Sequence, residues 1–266
     1  MQKLKKHIHG SFCIYSFGDD IDASILVDAF AHGETIEGKG RGYIRILHIG
    51  GKKIACRRYV HGGLLRGMTR GWFFSGKRAI KELEVITFLK NAGFPVVEPF
   101  CAVIETQGIR KIPYILTVYE ENAVDMLDYL SNARTKTTTT IIIKFAAFMY
   151  ELEKLGVYHP DLHLSNVLIT EDNEMKFLDF DKASVGRLTV KDVEHMFLRL
   201  NRHIEKMAKK GYKGISLKEK ILFLKSYERL SRQDILHVIK KRIKVRRFFD
   251  KIGWLLDSLF YGGRKF

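Results

Sequence analysis

Two short segments in the second half of the chain bring carboxylates and an amide together at close spacing. The first reads His159-Pro160-Asp161-Leu162-His163-Leu164-Ser165-Asn166, and the second reads Leu178-Asp179-Phe180-Asp181. Asp161 follows a helical pattern, Asn166 begins an apolar strand and Asp179 closes the next strand. A hairpin of strands over 166–170 and 175–179 is therefore predicted to bring Asn166 and Asp179 together.

These oxygen atoms suit a metal-assisted transfer of phosphate. Magnesium prefers hard oxygen ligands and usually keeps nucleotide phosphates in its shell, so we assign Asn166 and Asp179 to Mg²⁺. A base must accept the proton of a hydroxyl acceptor, and we assign that catalytic role to Asp161. The alternative is a chance loop of polar residues, which the order and strand context of the two segments disfavour.

A glycine-rich segment in the first half is a candidate for binding phosphates. Gly38, Gly40 and Gly42 precede two β-rich runs joined by Gly50-Gly51, and this pattern predicts a hairpin. Glycines let backbone N–H groups approach a phosphate closely. An ordinary flexible turn is the alternative for this segment.

A cation and a carboxylate complete the set of candidate residues. Arg57 ends the second strand of that hairpin, and its planar fork can contact phosphate bidentately. Residues 77–91 have helical spacing, and Glu82 lies beside the apolar stripe, so we expect it to pair with Arg57. Glu84 is expected in solvent, and a solvent-exposed Arg57 is the alternative to the pair. The stripe predicted to be buried comprises Ile80, Leu83, Ile86, Phe88 and Leu89.

The elements that must position these residues divide the chain in two. Strand patterns dominate residues 35–119 and helical patterns dominate 140–260, which predicts an α+β, two-lobed layout with a cleft between the lobes. We place the N-lobe at 1–120 and the helical C-lobe at 121–266. His7 and His9 are expected in a disordered tail.

The charge of the chain predicts an anionic partner. Lys and Arg number 46 against 30 Asp and Glu, which gives a formal charge of +16. Basic and apolar residues alternate through 240–249, and 62–74 mixes glycines, arginines and aromatic residues. We expect 240–249 to face an anionic membrane surface, and a solvated helix face is the alternative. For 62–74, contact with anionic glycolipid or the membrane interface and simple packing of Trp72 and Phe74 both stay open. No recognised nucleic-acid module surrounds these residues, so no nucleic acid is expected.

The two catalytic segments resemble the H-R-D-L-x-x-x-N loop and the D-F-G motif of the protein-kinase fold. Residues 35–205 are more specifically similar to the bacterial Kdo/WaaP-type lipopolysaccharide core kinases, and within them to the enzymes that act on Kdo (3-deoxy-D-manno-octulosonic acid). The segments that carry this resemblance are 38–42, 57–64 (R-x-Y-x-x-G-G-L), 93–99, 158–163 and 179–182.

The resemblance implies a kinase-like fold and ATP-dependent phosphorylation of a sugar hydroxyl, on Kdo or a heptose of the inner core attached to lipid A. It implies that Gly38, Gly40, Gly42, Arg57 and Glu82 form the ATP-binding site. The glycines and Arg57, which stands in the position of the usual lysine, would contact the phosphates, and Glu82 would pair with Arg57. Residues 114–121 would hold adenine through backbone bonds. Asp181 stands where protein kinases have glycine and no A-P-E follows, which disfavours a protein substrate.

The expected partners are the lipid A–core glycolipid and the anionic inner-membrane surface. The expected location is cytoplasmic and peripheral, on the inner face of the cytoplasmic membrane, where ATP and the acceptor meet. Two other functions stay open from the sequence. One is a small atypical kinase acting on protein or tRNA-linked machinery, and the other is a non-catalytic, kinase-like binding module.

Overall fold

The computed structural model describes residues 3–18, 21–37, 43–60, 72–132, 135–213, 215–239 and 241. Strands dominate the first half of the chain and helices dominate the second. The predicted α+β, kinase-like two-lobed fold class is thereby confirmed. The exact lobe boundary near residue 120 stays a prediction.

The N-terminal half is built on a seven-stranded antiparallel sheet. The order across the sheet is β1-β2-β6-β7-β5-β4-β3. The predicted hairpin is confirmed as β4–β5, and its turn residues Gly50 and Gly51 both have positive φ (56° and 76°). Two-residue hairpin turns of this type require positive φ at both positions, which glycine adopts without strain. The strands are β1 (Lys5–His9), β2 (Phe12–Ser16), β3 (Glu34–Glu37), β4 (Tyr43–Ile49), β5 (Lys52–Arg58), β6 (Pro99–Gln107) and β7 (Arg110–Val118).

One helix packs on each face of this sheet. Helix α1 (Ala23–His32) shares a buried cluster with Cys101 and Val103, whereas α2 (Lys77–Asn91) shares one with Ala102. Successive residues of a strand point to opposite faces, so α1 and α2 lie on opposite sides. The α2 stripe is largely as predicted, but Phe88 is 38% exposed. Its prediction as buried was wrong because Phe88 lies at the margin of the stripe, where helical spacing alone does not decide burial.

The N-terminus also differs from expectation. Residues His7 and His9 belong to β1, which pairs with β2 at one edge of the sheet. The run Lys5–His9 has no apolar alternation, since most of its side chains face solvent. This edge strand therefore gave no signal in the sequence that would distinguish it from a tail.

The C-terminal half packs helices around one large apolar core. Helix α4 includes the four threonines at 137–140 and the apolar run that follows them, and Ser216 caps α6 through a capping box with Glu219. Short strands form a sheet in the order β11-β10-β8 and a β12-β9 pair. The elements are β8 (Val124–Asp125), α3 (Met126–Asn132), α4 (Thr135–Lys154), β9 (Val157–Tyr158), β10 (Val167–Ile169), β11 (Met175–Phe177), β12 (Ser184–Val185), α5 (Val190–Ala208) and α6 (Leu217–Ser231), with 235–239 also helical.

The two halves are joined by more than the connection after β7. The Phe177 backbone donates to Pro95 O at 2.8 Å and accepts from the Val97 N–H at 3.0 Å, so the segment after α2 runs beside β11. In the connection itself, the Glu120 carboxylate accepts from Lys176 Nζ at 2.7 Å. These contacts fix α2 relative to the hairpin that carries Asn166 and Asp179.

Gly156, two residues after the end of α4, makes a close backbone approach that supplies a stability test. Its φ is +70°, and an added Cβ would lie 2.3 Å from the Gly186 carbonyl oxygen. Gly156→Ala should therefore lower the free energy of unfolding by about 2 kcal/mol or more, through both strain and clash.

The facing glycine is the matched control for this substitution. A Cβ on Gly186 meets no described atom within 4 Å, so Gly186→Ala should stay within about 0.5 kcal/mol of wild type. Urea unfolding of both variants measures the difference. Equal effects would contradict the steric argument.

Candidate active site

The hairpin β10–β11 brings the two predicted metal-binding residues together. Val167 pairs with Phe177, and the Leu178 N–H donates to Asn166 O at 3.0 Å. Asn166 and Asp179 therefore lie at the same end of the hairpin. The strands are shorter than predicted, and a 3₁₀ turn over Leu164–Asn166 leads into β10.

The side chains at this end have the chemistry that a magnesium site needs. Asn166 is buried, and its Nδ2 donates to Asp161 O at 3.3 Å, which directs its nitrogen to the loop and leaves its oxygen for another partner. Asp179 has φ +62°, a conformation uncommon for a residue with a Cβ and often found where a site over-determines the backbone. No group of three His, Cys, Asp or Glu side chains forms a metal site in the described ranges. An amide and a carboxylate are a fitting set for Mg²⁺, which keeps phosphate and water in its remaining positions.

Arg57 forms the predicted pair with Glu82 and also reaches Asp179. Its Nη2 lies 2.8 and 2.7 Å from the Glu82 carboxylate oxygens and 3.2 Å from Asp179 Oδ1. Arg57 is 29% exposed and Glu82 is buried, whereas Glu84 is exposed. The solvent-exposed alternative for Arg57 is therefore excluded.

Burial and the neighbouring charges act in opposite directions on this pair. Burial raises the pKa of Glu82 to about 7, although the Arg57 guanidinium lowers it. Burial alone would lower the pKa of Arg57, but the carboxylates of Glu82 and Asp179 outweigh it and raise the pKa. Arg57 thus stays charged and supplies the partner that a buried carboxylate requires.

Tyr59 organises a second pair that the sequence did not predict. The guanidinium carbons of Arg57 and Arg78 lie 4.8 Å and 5.3 Å from the centroid of its buried ring, and its hydroxyl donates to Glu82. Arg78 makes a bidentate pair with Asp181. Asp181 therefore joins the start of α2 to the second catalytic segment.

The position of Arg78 gives that pair a local electrostatic reason. Arg78 lies in the first turn of α2, whose first turn has no acidic residue and whose N-cap Gly76 offers no side chain. A cation is unfavourable at the positive end of a helix dipole. The Asp181 carboxylate supplies the negative charge that this helix terminus lacks.

The base candidate Asp161 is held by α5. Arg199 Nε donates to Asp161 Oδ1 at 2.8 Å, and Nη2 donates to the same oxygen. One turn later on α5, the His203 ring stacks on His163 at 4.3 Å with an interplanar angle of 11°. Arg199 and His203 gave no signal in the sequence, because their spacing fits an ordinary amphipathic helix.

A buried histidine holds the other side of the loop. His159 packs against Phe180 with ring centroids 5.0 Å apart, and neither of its ring nitrogens has a hydrogen-bond partner among the described residues. Burial lowers the pKa of His159 to about 4. The neutral ring therefore serves as an apolar contact between the two catalytic segments.

Some predicted residues lie outside the described part of the chain. Gly38, Gly40 and Gly42 are among these residues. In the sequence they lie between Glu37 and Tyr43, which pair with each other in β3 and β4. Residues 240–249, apart from Lys241, and 61–71 are likewise outside. Trp72 and Phe74 are described and contact each other edge-on at 5.0 Å, with Phe74 75% exposed.

Comparison with known proteins adds to this geometry. Residues 32–240 match the model of the lipopolysaccharide kinase (Kdo/WaaP) family. The chain belongs to this family. Among its relatives are proteins named 3-deoxy-D-manno-octulosonic acid kinase, from Vibrio vulnificus strain CMCP6 (26% identity, 54% of this chain, 62% of the relative), Vibrio parahaemolyticus (27%, 56% and 63%) and Xylella fastidiosa strain M23 (22%, 63% and 68%).

The matches to the Vibrio relatives cover only part of each protein. The chain spans about three fifths of the length of the two Vibrio relatives. Family membership confirms the predicted resemblance. Within the described ranges, no helix combines the length and the apolar character needed to cross a membrane.

The Arg78–Asp181 pair can be tested by a double-mutant cycle. Both side chains are shielded (28% and 16% exposed), so we expect Arg78→Met and Asp181→Asn to show a coupling free energy of about 1–2 kcal/mol in denaturant unfolding. The exposed pair Lys53–Glu121 (43% and 57%) is the control and should couple by less than about 0.5 kcal/mol. Similar coupling in both pairs would refute a special role for Asp181.

The stacked histidines predict a pH dependence of stability. Burial, together with the charges of His163 and Arg199, lowers the pKa of His203 to about 4. The unfolded state, with a pKa near 6.5, then binds more protons between about pH 6.5 and 4, so stability falls as the pH decreases through this window.

The effect of His203 is measured by comparing pH 7 with pH 5. Between pH 7 and pH 5, the free energy of unfolding of wild type should fall by about 1 kcal/mol more than that of His203→Phe. The exposed His195 lies on the same helix, and His195→Phe should behave like wild type. A His203→Phe variant as acid-sensitive as wild type would show that this group does not titrate as described.

Proposed function

We propose that this chain transfers the γ-phosphoryl group of ATP to a sugar hydroxyl in the inner core of lipopolysaccharide. The observation that carries the proposal is the convergence of Asp161, Asn166 and Asp179 at one end of a hairpin, with the Arg57–Glu82 pair reaching Asp179. A non-catalytic module has no need for this combination of strained, charged and buried groups. Family membership agrees with the proposal.

The nucleotide side of the site is built from both halves of the chain. Arg57 binds the phosphates of ATP, and Glu82 and Tyr59 hold its guanidinium in place. Asn166 and Asp179 are the residues that hold Mg²⁺, which when bound neutralises phosphate charge. Gly38, Gly40 and Gly42 offer backbone N–H groups to the phosphates from the loop between β3 and β4.

The acceptor side depends on Asp161. Its carboxylate orients the sugar hydroxyl and accepts its proton as the hydroxyl oxygen bonds to the γ-phosphorus. The bond from that phosphorus to the bridging oxygen breaks, and ADP leaves with the electron pair. Positioning and electrostatic stabilisation supply most of the acceleration in such a transfer.

The acceptor is a sugar of the lipid A–core glycolipid. The named relatives act on 3-deoxy-D-manno-octulosonic acid, and we propose Kdo as the acceptor, with a heptose as the second candidate. The connection from Asp181 to the Thr189 cap of α5 is short and leaves little chain for a peptide-binding segment. This favours a small acceptor over a protein.

The same proposal places the protein at the inner face of the cytoplasmic membrane, bound peripherally. The acceptor is attached to lipid, and the chain has a formal charge of +16. Each Lys or Arg near an anionic leaflet contributes about 1 kcal/mol of binding. Contact between 240–249 and the membrane stays a prediction, as does the absence of nucleic-acid binding.

The roles of the two aspartates can be separated by one pair of variants. Lipid A–Kdo is incubated with protein, ATP and Mg²⁺, and the product is measured by mass spectrometry. Asp161→Asn should lower the transfer rate by about 10²–10⁴ and leave the affinity for Mg²⁺-ATP near that of wild type. Asp179→Asn should lose the magnesium-dependent part of that affinity in calorimetric titration.

The control lies in the same hairpin. Asp172 is an exposed turn residue between β10 and β11, and Asp172→Asn should match wild type in both measurements. Transfer by Asp161→Asn within tenfold of wild type would remove Asp161 from the base role. A wild-type protein that phosphorylates no core acceptor would refute the proposed function.

A further inference from the structure

Arg199 occupies an unexpected position beside the proposed base. Its Nε and Nη2 both donate to Oδ1 of Asp161, so Arg199 does not engage Oδ2 of that carboxylate. Both side chains are accessible, with Arg199 40% and Asp161 55% exposed. A base whose carboxylate is occupied by a guanidinium is a poorer partner for an incoming hydroxyl.

The pair is open to exchange with another anion. Exposed ion pairs contribute only about 0–1 kcal/mol to stability, so little free energy resists its separation. A guanidinium recognises a carboxylate through two parallel hydrogen bonds. An acceptor that carries its own carboxylate can therefore replace Asp161 as the partner of Arg199.

Arg199 stays near the base without that ion pair. One turn along α5, His203 stacks on His163 of the catalytic loop. Burial and the charge of Arg199 are among the causes that lower the pKa values of both rings. The stack of two neutral rings therefore joins α5 to the loop without adding a positive charge. It keeps Arg199 beside Asp161, where Arg199 can contact a molecule that binds there.

We propose that Arg199 binds the carboxylate of an acidic acceptor sugar and thereby releases Asp161 to take the hydroxyl proton. This inference rests on the proposed function and deepens it, because it selects an acid sugar such as Kdo over a neutral heptose. Arg199 is then a specificity-determining residue of the acceptor site, separate from the residues that bind ATP and Mg²⁺.

The test compares an acceptor with and without its negative charge. The substrates are lipid A–Kdo, the same molecule with the Kdo carboxyl converted to its methyl ester, and a heptose-terminated core. Wild-type kcat/KM should be at least about 10² higher for the acid than for the ester. Arg199→Gln should lower kcat/KM for the acid, whose carboxylate loses its partner, and raise it for the ester, because Asp161 is no longer paired. The roughly 10²-fold preference should therefore disappear.

Measurements on three variants separate recognition from a structural role. The KM for ATP and the melting temperature of Arg199→Gln should match wild type, because the pair is exposed. Arg199→Lys should restore part of the preference, since it keeps the charge without the bidentate fork. Arg202 is exposed on the same helix, and Arg202→Gln should keep the full preference.

Each contrary outcome has a distinct meaning. Equal use of acid and ester by wild type, or a preference retained in Arg199→Gln, would overturn the role of Arg199 and leave the kinase function intact. Efficient transfer to the heptose acceptor but not to lipid A–Kdo would also overturn it. Wild-type transfer to none of the three acceptors would overturn the proposed function and this inference together. The wild-type comparison decides the question even where a variant fails to fold.

Discussion

The ring of Tyr59 contacts two arginines, Arg57 of β5 and Arg78 of α2, and both arginines also contact the segment after β11. Arg57 reaches Glu82 and Asp179, and Arg78 reaches Asp181. Burying a carboxylate as fully as Glu82 costs several kcal/mol unless charge and hydrogen bonds compensate it, and Arg57 and the Tyr59 hydroxyl supply that compensation. This cluster ties α2 and β5 to the segment that carries Asp179 and Asp181, and it acts together with the backbone contacts of Phe177 that join the two halves.

Arginine at position 57 changes what such a cluster can do. Lysine is a compact, strongly hydrated charge, whereas the guanidinium is planar and stacks on aromatic rings. Arg57 uses these properties together, because its face lies over Tyr59 while one nitrogen contacts Glu82 and Asp179. Tyr59 and Arg57 therefore function as a unit, and a lysine would leave the tyrosine face without this partner. The proposed phosphate-binding role of Arg57 therefore depends on the position of Asp179, which Arg57 also contacts.

The sequence predicted the parts of this site that local patterns control. The β4–β5 hairpin followed from Gly50-Gly51, and the closeness of Asn166 and Asp179 followed from the alternation of two short strands. The contacts of Asp181 and Asp161 were missed because they join residues 103 and 38 positions apart. The type of a residue does not indicate which distant residue it will pair with. Arg78 offered one usable clue, since a cation in the first turn of an uncapped helix requires a negative partner from elsewhere.

The short connection between Asp181 and α5 links the two sides of the site. Ser184 and Val185 pair with Tyr158 and Val157 immediately before the catalytic loop, and the capping box at Thr189 starts α5 soon afterwards. A helix that begins so early must run close past the loop, which brings Arg199 to Asp161 and His203 to His163. A long inserted segment would occupy this space in an enzyme that binds a peptide. Here the short connection leaves little chain for such a segment and brings the Arg199 guanidinium to Asp161. The proposed preference for a small acceptor and the proposed recognition of its carboxylate therefore rest on the same feature of the fold.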